Sequence, residues 1–295
     1  MEQNLISLFL NQLKSFKVID YSVTGEEFVL HYDRVMDMYK TSPQPSLEDL
    51  PRYYESENYI SHTNSKRNFY ELVYHKVRSY MTKTKTKLAA RYVHGPVSVL
   101  DFGCGTGDFL LAAKRKGWST LGFEPNTRAM AIAQEKGIDV CDKEYLTNMP
   151  EKSFDVITLW HVLEHLPDLE SHIKLFKTLL KPDGVLLVAV PNFKSYDARY
   201  YKTKWAAFDV PRHLWHFSKT SIKTLFALFD FQLLKVKPMW FDAFYVSMLS
   251  ETYAKSRFSP LKALLIGVYS NFRGIWVREF SSHIYVLKLK TKRCE

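Results

Sequence analysis

The residues from Asp101 to Gly107 have the types and the spacing of a ligand-binding loop. Asp101 closes a short apolar run, and Gly103, Gly105 and Gly107 follow at every second position. Glycine lets a backbone turn sharply and lie against a ligand because it carries no Cβ. The spacing differs from the Gly-x-Gly-x-x-Gly dinucleotide fingerprint and from the phosphate loop, which needs Gly-Lys-Ser/Thr. The loop therefore indicates a cofactor site and argues against a nicotinamide cofactor.

A second apolar run ends at Glu124, within Leu-Gly-Phe-Glu-Pro-Asn. In an open parallel sheet, ligands bind outside the carboxyl ends of the strands. We therefore expect Glu124 to lie at the same edge as the glycine loop. A carboxylate at that place can accept hydrogen bonds from both hydroxyls of a ribose. It also fits a cationic cofactor and would repel a 2′-phosphate.

The elements that must position these residues follow from the alternation of apolar runs and helical patterns after residue 96. Near-continuous apolar strands separated by helices predict a parallel sheet covered on both faces. The predicted strands are 97–102, 119–124, 138–141, 154–160, 185–190, 231–237 and 283–290, and the predicted helices are 108–117, 127–137, 169–180 and 220–229. The last strand alternates more, which favours antiparallel pairing at or near the sheet edge.

Together these motifs resemble the class I S-adenosylmethionine-dependent methyltransferases. The segments that carry the resemblance are DFGCGTG (Asp101–Gly107), GFEPN (Gly122–Asn126), SFDVITLWHVLEHLPD (Ser153–Asp168) and LLKPDGVLLVAVPN (Leu179–Asn192), in the family's order. The resemblance implies an α/β, Rossmann-like sheet of seven strands with an antiparallel last strand and helices on both faces. It also implies S-adenosylmethionine as the methyl donor and S-adenosylhomocysteine as the product.

The resemblance further implies a role for each residue of the donor site. The glycines would cradle the methionine part, Glu124 would hold the ribose, and Asp101 would orient the loop or the amino group. Asp142 would approach the adenine, with an ordinary loop carboxylate as the alternative. Cys104 is expected to be a small side chain under the ligand rather than a nucleophile. The predicted cofactor residues are Asp101, Gly103, Cys104, Gly105, Gly107, Glu124, Pro125, Asp142, Trp160 and His161.

One competing motif is His161-x-x-Glu164-His165, which has the form of the inverted zinc-protease pattern. That pattern needs both histidines on one face of a long helix. Here His161 directly follows a buried strand, and Pro167 limits any helix after His165. We therefore expect no metal.

The segment Trp205–Ser218, WAAFDVPRHLWHFS, is dense in groups that bind or titrate. It resembles a W-x-x-x-D-x-P-R-H-x-x-H-F-S pattern found after strand five in a subgroup of bacterial methyltransferases, which implies a loop over the substrate entrance. His213 and His216 are the candidates for a general base because the reference pKa of histidine is near 6.5. Asp209 and Arg212 are candidates for substrate contact. The alternative is that the two histidines pack against Trp205 and Trp215 as structural residues.

The N-terminal region has a partial resemblance of its own. Some relatives begin with a small zinc ribbon, followed by a T-x-P-x-P and Y-Y-x-S-x-x-Y-I-S-H run that is also found at 41–62 of this chain. Asp33 and Met36 stand at the expected cysteine positions, so we expect a metal-free remnant that caps the cofactor pocket or contacts substrate. Tyr53, Tyr54 and Tyr59 are the candidate contacts, and plain packing is the alternative for them.

We expect two parts, with residues 1–92 as an N-terminal extension and residues 93–295 as a methyltransferase domain. The domain carries insertions at 192–217 and 239–282. Residues 1–18 are patterned as a short amphipathic helix. In the second insertion, an apolar stripe falls on one helical face, which favours core or dimer packing, with a membrane-surface helix as the alternative. The stripe consists of Leu261, Leu264, Leu265, Val268 and Phe272.

Composition limits the partners. The net charge is +10, but the lysines and arginines are dispersed, so nucleic acid is not the expected partner. The run Lys83-x-Lys85-x-Lys87 is interpreted as a solvated helix face or linker. Three cysteines make no disulfide framework, which favours a cytoplasmic protein. Peripheral membrane contact is an open alternative, and so is the choice between monomer and homodimer.

These features predict methyl transfer to a small-molecule or lipid-like acceptor by direct in-line attack, with oxygen as the favoured atom. Aromatic insertions favour a flat or apolar acceptor. An RNA methyltransferase is one alternative, although the Asn/Asp-Pro-Pro-aromatic signature of base methylation is replaced by Trp-His-Val-Leu at 160–163. A regulator that binds S-adenosylmethionine without turnover is the other alternative.

Overall fold

The computed structural model describes residues 15–46, 48–54, 69–257 and 259–290, and for residues 69–75 it describes the backbone. These residues form two compact units. The first unit draws its described residues from 1–63, 190–225 and 237–283. The second unit draws them from 64–189, 226–236 and 284–295.

The described elements follow the alternation of the sequence closely. The strands are β1 (Ser15–Ile19), β2 (Glu27–Asp33), β3 (Met38–Ser42), β4 (Ser98–Phe102), β5 (Ser119–Phe123), β6 (Val140–Cys141), β7 (Phe154–Trp160), β8 (Leu180–Pro191), β9 (Trp215–His216), β10 (Phe231–Pro238) and β11 (Ser282–Leu289). The helices are α1 (Phe69–Ala89), α2 (Asp108–Lys114), α3 (Thr127–Glu135), α4 (Lys143–Thr147), α5 (Leu169–Leu179), α6 (Tyr196–Tyr201), α7 (Lys219–Ala227), α8 (Asp242–Tyr253) and α9 (Ser259–Val277).

A seven-stranded sheet forms the centre of the second unit, with the strand order β10-β11-β8-β7-β4-β5-β6. β4 pairs in parallel with β5 and β7, while β5 pairs in parallel with β6 and β7 with β8. The last strand, β11, is antiparallel and lies one place in from the edge strand β10. The sheet predicted from the apolar runs is confirmed.

The middle strands are apolar on both faces because helices surround the sheet. Val99 and Leu100 of β4 are fully buried although their side chains point to opposite faces, and Ile157 of β7 is buried as deeply. Such strands read as continuous apolar runs, which is why their positions could be predicted from the sequence.

A four-stranded sheet in the first unit has the order β1-β2-β3-β9. β1, β2 and β3 form antiparallel hairpins, and β9 adds itself to β3 through the pairs Tyr39–His216 and Lys40–Trp215. The helix predicted for residues 1–18 is wrong for residues 15–18, which belong to β1 (Ser15–Ile19), because the alternation of exposed and buried residues in this segment fits a strand. Residues 1–14 lie outside the described residues.

The hairpin between β2 and β3 occupies the place of the predicted zinc-ribbon remnant. Oδ1 of Asp33 accepts hydrogen bonds from the backbone N–H groups of Val35 at 2.8 Å and Met36 at 3.0 Å. The carboxylate therefore closes this turn with its own backbone, as aspartate side chains commonly do. The division of the chain at residue 92 stays a prediction, and α1 belongs by its contacts to the second unit.

Candidate cofactor-binding site

The glycine loop and Glu124 leave the sheet side by side. Asp101 is level with Gly122 in the β4–β5 register, so the chain leaves both strands at the same edge. The backbone N–H of Gly103 donates to the carbonyl of Phe123 at 2.7 Å, which ties the loop to the end of β5. The loop is thereby held against the strand that ends at Glu124.

Two glycines of the loop have different reasons for lacking a side chain. Gly103 has φ of +77°, and a Cβ there would lie 2.5 Å from a methyl group of Val162. Gly105 has φ of +53°, and a Cβ there would meet no described atom within 4 Å. Packing explains Gly103, whereas the open space beside Gly105 leaves room for the predicted ligand.

The Glu124 side chain lies directly beside this open space. Its Oε2 accepts a hydrogen bond from the backbone N–H of Gly105 at 2.8 Å, and its Oε1 accepts one from Asn126 at 2.9 Å. Each carboxylate oxygen has more than one acceptor site. Glu124 can therefore keep the loop in place and still accept hydrogen bonds from ribose hydroxyls.

Asp101 lies beneath the loop. Its carboxylate is buried and accepts a hydrogen bond from the Thr158 hydroxyl at 2.5 Å. Burial raises the pKa of Asp101 to about 7, Lys85 and the Thr158 hydrogen bond oppose the rise, and Glu124 adds to it. Its position behind the glycines suits the predicted role of orienting the loop.

Trp160 ends β7 and contacts a residue that the sequence analysis had assigned to a solvated face. Nζ of Lys85 lies 4.4 Å from the centre of the Trp160 ring, while Lys83 and Lys87 are exposed. The interpretation of the lysine run is therefore right for two residues and wrong for Lys85, because alternate residues of a helix do not share one face. Nε1 of Trp160 is buried without a hydrogen-bond partner among the described residues.

Helix α1 brings a second cation to the loop. Arg78 donates a hydrogen bond to the Thr106 hydroxyl at 2.8 Å and forms an ion pair with Asp108, the first residue of α2. Asp108 also pairs with Lys136 at 2.6 Å. Arg78 and Lys85 are not among the predicted site residues, since the only signal for them is a spacing of seven residues, two helical turns, which puts them on one face of α1.

His161 has φ of +60°, an uncommon conformation for a side chain other than glycine. Its Nδ1 lies 3.4 Å from Oε1 of the buried Glu164, within a short 3-10 turn at Leu163–His165. Residues 161–166 thus form no long helix, and the inverted zinc-protease geometry is not present there. Strained residues of this kind concentrate at functional sites.

Three further predicted cofactor residues are Asp142, Pro125 and Cys104. Oδ1 of Asp142 accepts from the backbone N–H of Tyr145 at 2.8 Å and caps α4, so its adenine contact stays a prediction. Pro125 is exposed at the site edge. Cys104 is buried, and burial followed by the nearby Asp101 and Glu124 carboxylates raises the pKa of its thiol. A raised thiol pKa suits the predicted passive role of Cys104.

The acceptor-side candidates lie in the first unit, where Arg212 is the centre of a buried network. Its guanidinium donates to both carboxylate oxygens of Asp209, at 3.0 and 2.6 Å, and to the Tyr53 carbonyl at 2.6 Å. It also bonds Asp20 at 3.2 Å and the Ser22 hydroxyl. These bonds occupy the donors of Arg212 in holding the small sheet and the 205–218 segment together.

The two candidate bases, His213 and His216, differ in the hydrogen bonds of their ring nitrogens. Nδ1 of His213 lies 2.8 Å from the Ala207 carbonyl, so it carries the proton, and Nε2 is the nitrogen that can take up another. Thr41 donates its hydroxyl proton to the His213 carbonyl at 2.6 Å, so it must accept from Nε2 of His216 at 3.0 Å. Burial, with the nearby His213, lowers the pKa of His216 well below its usual value. This makes His213 the better candidate.

Tyr53 is buried in the first unit, and its hydroxyl donates to Glu26 at 2.6 Å. Tyr54 is half-buried beside it. Tyr59 lies outside the described residues. Substrate contact by these tyrosines stays a prediction, and the surroundings of Tyr53 are those of a packed residue.

The residues of the donor site fit S-adenosylmethionine. The features that suit it are the open space beside Gly105, the Glu124 carboxylate next to it and the buried Nε1 of Trp160, which has no hydrogen-bond partner among the described residues. A glycine loop and acidic strand end, on a seven-stranded sheet of this order, define the class I S-adenosylmethionine-dependent methyltransferases. Comparison with known proteins agrees: a family model described as a methyltransferase domain matches residues 73–236, and the chain belongs to this family.

The chain is also similar to ubiquinone biosynthesis O-methyltransferases. It is 36% identical over 106 residues to the one from Actinobacillus pleuropneumoniae, covering 32% of this chain and 45% of that protein. It is 28% identical over 173 residues to the one from Cupriavidus pinatubonensis, covering 54% and 68%. The chain thus matches less than half the length of the first of these relatives.

Two solved structures share the fold. The magnesium protoporphyrin IX methyltransferase from Synechocystis, with bound S-adenosylhomocysteine, matches with a TM-score of 0.52 and 15% identity, covering 81% of this chain and 97% of that one. An S-adenosylmethionine-dependent methyltransferase from Archaeoglobus fulgidus matches with a TM-score of 0.50 and 20% identity, covering 76% and 100%.

Proposed function

We propose that the protein transfers a methyl group from S-adenosylmethionine to an oxygen of a small-molecule or lipid-like acceptor. The observation that carries the proposal is the hydrogen bond from the Gly105 N–H to the Glu124 carboxylate, beside open space at Gly105. It supports a role for Glu124 as the acceptor of hydrogen bonds from a ribose. The relatives named ubiquinone biosynthesis O-methyltransferase support oxygen as the atom and a small molecule as the acceptor.

The reaction is an in-line displacement. The acceptor oxygen attacks the methyl carbon, the carbon–sulfur bond breaks, and its electron pair stays on sulfur to give S-adenosylhomocysteine. The sulfonium is already an activated donor, so positioning supplies much of the rate enhancement. The protein's residues then need to hold the donor and remove one proton from the acceptor.

We assign that proton to Nε2 of His213. Nδ1 donates a hydrogen bond to the Ala207 carbonyl, so Nε2 is the ring nitrogen that would take up the proton, and Oδ2 of Asp209 lies 3.9 Å from it. His213→Gln is expected to lower kcat by about 100-fold while leaving cofactor affinity unchanged. His216→Gln serves as the comparison and is expected to lower stability instead.

The function is tested in two steps with the purified full chain. Calorimetry with S-adenosylhomocysteine and with NADH comes first, and binding of NADH alone would exclude the methyltransferase assignment. Transfer of labelled methyl from S-adenosylmethionine is then measured against phenols, quinols, lipid extracts and RNA. Label in phenols or quinols supports the proposal. Label in RNA alone would indicate an RNA methyltransferase, for which the net charge of +10 would be suited. Binding of S-adenosylhomocysteine without methyl transfer to any acceptor would indicate a regulator.

A further inference from the structure

Helix α9 carries its large apolar side chains on the outside. Trp276 is 74% exposed and Leu261 is 61% exposed. We call the exposed side of this helix the α9 face, and it consists of Leu261, Leu264, Leu265, Val268, Tyr269, Phe272, Ile275 and Trp276. These positions recur every three or four residues and form one continuous stripe along the helix. The core packing expected for this stripe is therefore wrong.

The opposite side of α9 is made of small residues and is the side that packs. Ala263, Gly267, Ser270 and Gly274 are buried. A Cβ on Gly267 would lie 2.6 Å from the ring of Phe244 in α8, and one on Gly274 would lie 2.7 Å from Phe280. A globular protein normally buries the bulky face of a helix, so a contiguous apolar surface left outside marks an interaction site.

The charged residues of helix α9 and its immediate flanks are mainly cations. Residues 255–278 contain five cations and no aspartate or glutamate; the cations are Lys255, Arg257, Lys262, Arg273 and Arg278. Lys262 is paired with Glu251 of α8 at 3.1 Å, while Arg273 and Arg278 are exposed near the end of the helix. An apolar stripe beside basic residues is complementary to a partner that has an apolar interior and negative charges at its surface.

We propose that the α9 face docks this protein on the surface of an anionic phospholipid bilayer. The helix would lie flat, with its leucines and aromatic rings among the upper acyl chains and its arginines at the phosphates. Among the described residues, no helix is long and apolar enough to cross a membrane. The proposed contact is peripheral, and it does not depend on the proposed methyl transfer.

Charge favours the bilayer over a second copy of the chain. In a twofold dimer the same patch meets itself, so Arg273 and Arg278 of one copy would face cations of the other. Residues 255–278 contain no carboxylate that could pair with them, and each copy carries a net charge of +10. The flanking Glu251 and Glu279 are already paired with Lys262 and Lys219. An anionic lipid surface supplies the missing negative charge.

The test is sedimentation of the full chain with vesicles of phosphatidylcholine alone and with 30% phosphatidylglycerol. We expect binding to the anionic vesicles that weakens with salt. It should fall roughly tenfold or more in Leu265→Glu, because a leucine that would enter the bilayer is replaced by a charge. Leu228→Glu is the matched control, since Leu228 is 68% exposed outside the α9 face. Its binding should equal that of the wild type.

The fluorescence of Trp276 gives a second test, which uses the wild-type protein. Brominated lipids should quench part of the tryptophan fluorescence, and Trp276→Phe should remove that part. Absence of binding to anionic vesicles would overturn the proposal, as would equal loss of binding in both leucine variants. A dimer in solution that Leu265→Glu dissociates, without vesicle binding by the wild type, would assign the face to a second copy and also overturn it.

Discussion

At the residue scale, three ionisable side chains lie close together in the candidate donor site. Glu124 is bonded to the glycine loop, Asp101 is buried beneath it, and Lys85 approaches both Asp101 and the Trp160 ring. S-adenosylmethionine carries a sulfonium, an ammonium and a carboxylate. The carboxylates of Glu124 and Asp101 can interact with the cationic groups and the ribose of this cofactor. We propose that Lys85 pairs with the cofactor's carboxylate.

Replacing Glu124 by alanine should weaken binding of S-adenosylhomocysteine. The loss of charge-assisted hydrogen bonds to the ribose corresponds to about 2 kcal/mol, or roughly 30-fold in Kd. Calorimetry measures this directly. Glu151→Ala, at an exposed turn, is the control and should bind like the wild type; an unchanged Kd for Glu124→Ala would refute the ribose role.

Lys85→Met tests the residue that the sequence analysis had placed in solvent. We expect about a fivefold loss of affinity for S-adenosylhomocysteine, since a partly exposed ion pair is worth about 1 kcal/mol. A matched substitution, Lys87→Met, removes the same charge from an exposed position of the same helix. Equal effects of the two variants would mean that general charge, and not a carboxylate contact, is responsible.

At the scale of elements, the cradle is a loop whose shape requires positive φ. Gly105→Ala should cost about 1 kcal/mol in stability for the left-handed backbone, and it should also abolish cofactor binding because the new Cβ fills the cradle. Gly25→Ala is the control, with φ of +72° and equally open space in a hairpin of the first unit. Thermal unfolding of both variants measures the cost of backbone strain, and calorimetry measures the loss of cofactor binding. Retained binding by Gly105→Ala would contradict the proposal that the ligand lies against Gly105.

The 205–218 segment is the element whose role the structure changes most. Arg212→Ala should lower the free energy of unfolding by about 3 kcal/mol, because Asp20 and Asp209 would be left without their shared cation. Arg52→Ala breaks an exposed ion pair with Glu26, and it should lower the free energy of unfolding much less than Arg212→Ala, because water screens exposed charges. Urea unfolding measures both. A stable Arg212→Ala variant with lost turnover would restore the substrate-contact hypothesis.

At the scale of the whole molecule, buried neutral histidines make stability depend on pH. Burial, followed by the nearby Lys219, lowers the pKa of His283 from its usual 6.5 to about 4. The unfolded chain therefore takes up a proton near pH 6.5 that the folded chain takes up only near pH 4. The stability of the folded state is complete above pH 6.5 and falls as the pH drops toward 4, by about 3 kcal/mol.

Urea unfolding between pH 7.5 and 4.5 checks this dependence. His283→Gln should flatten the fall in stability, while His31→Gln, at an exposed position of β2, should leave it as in the wild type. The lowered pKa of His216 acts in the same direction. A His283→Gln variant with the wild-type slope would show that its burial does not control the titration.

Much of the second unit could be predicted because strands buried on both faces are apolar throughout. β7 was predicted with both ends correct, and β4 and β5 differ from prediction by one residue each. Gly103 and Glu124 follow from the ends of those strands. Lys85 could not be found in this way, since helical periodicity places three alternate lysines on different faces but does not say which one meets Trp160.

The sequence by itself determined the parallel sheet, the glycine loop and the acidic strand end, because these depend on local patterns of apolar residues and glycines. The tertiary structure decided what those patterns could not: β9 completes a sheet begun by Ser15–Ser42, and Arg212 is held by Asp20 from far along the chain. It also decided that α9 buries its glycines and exposes its leucines. Which face of a helix is covered depends on the neighbour it packs against, and a single helix's sequence does not contain that neighbour.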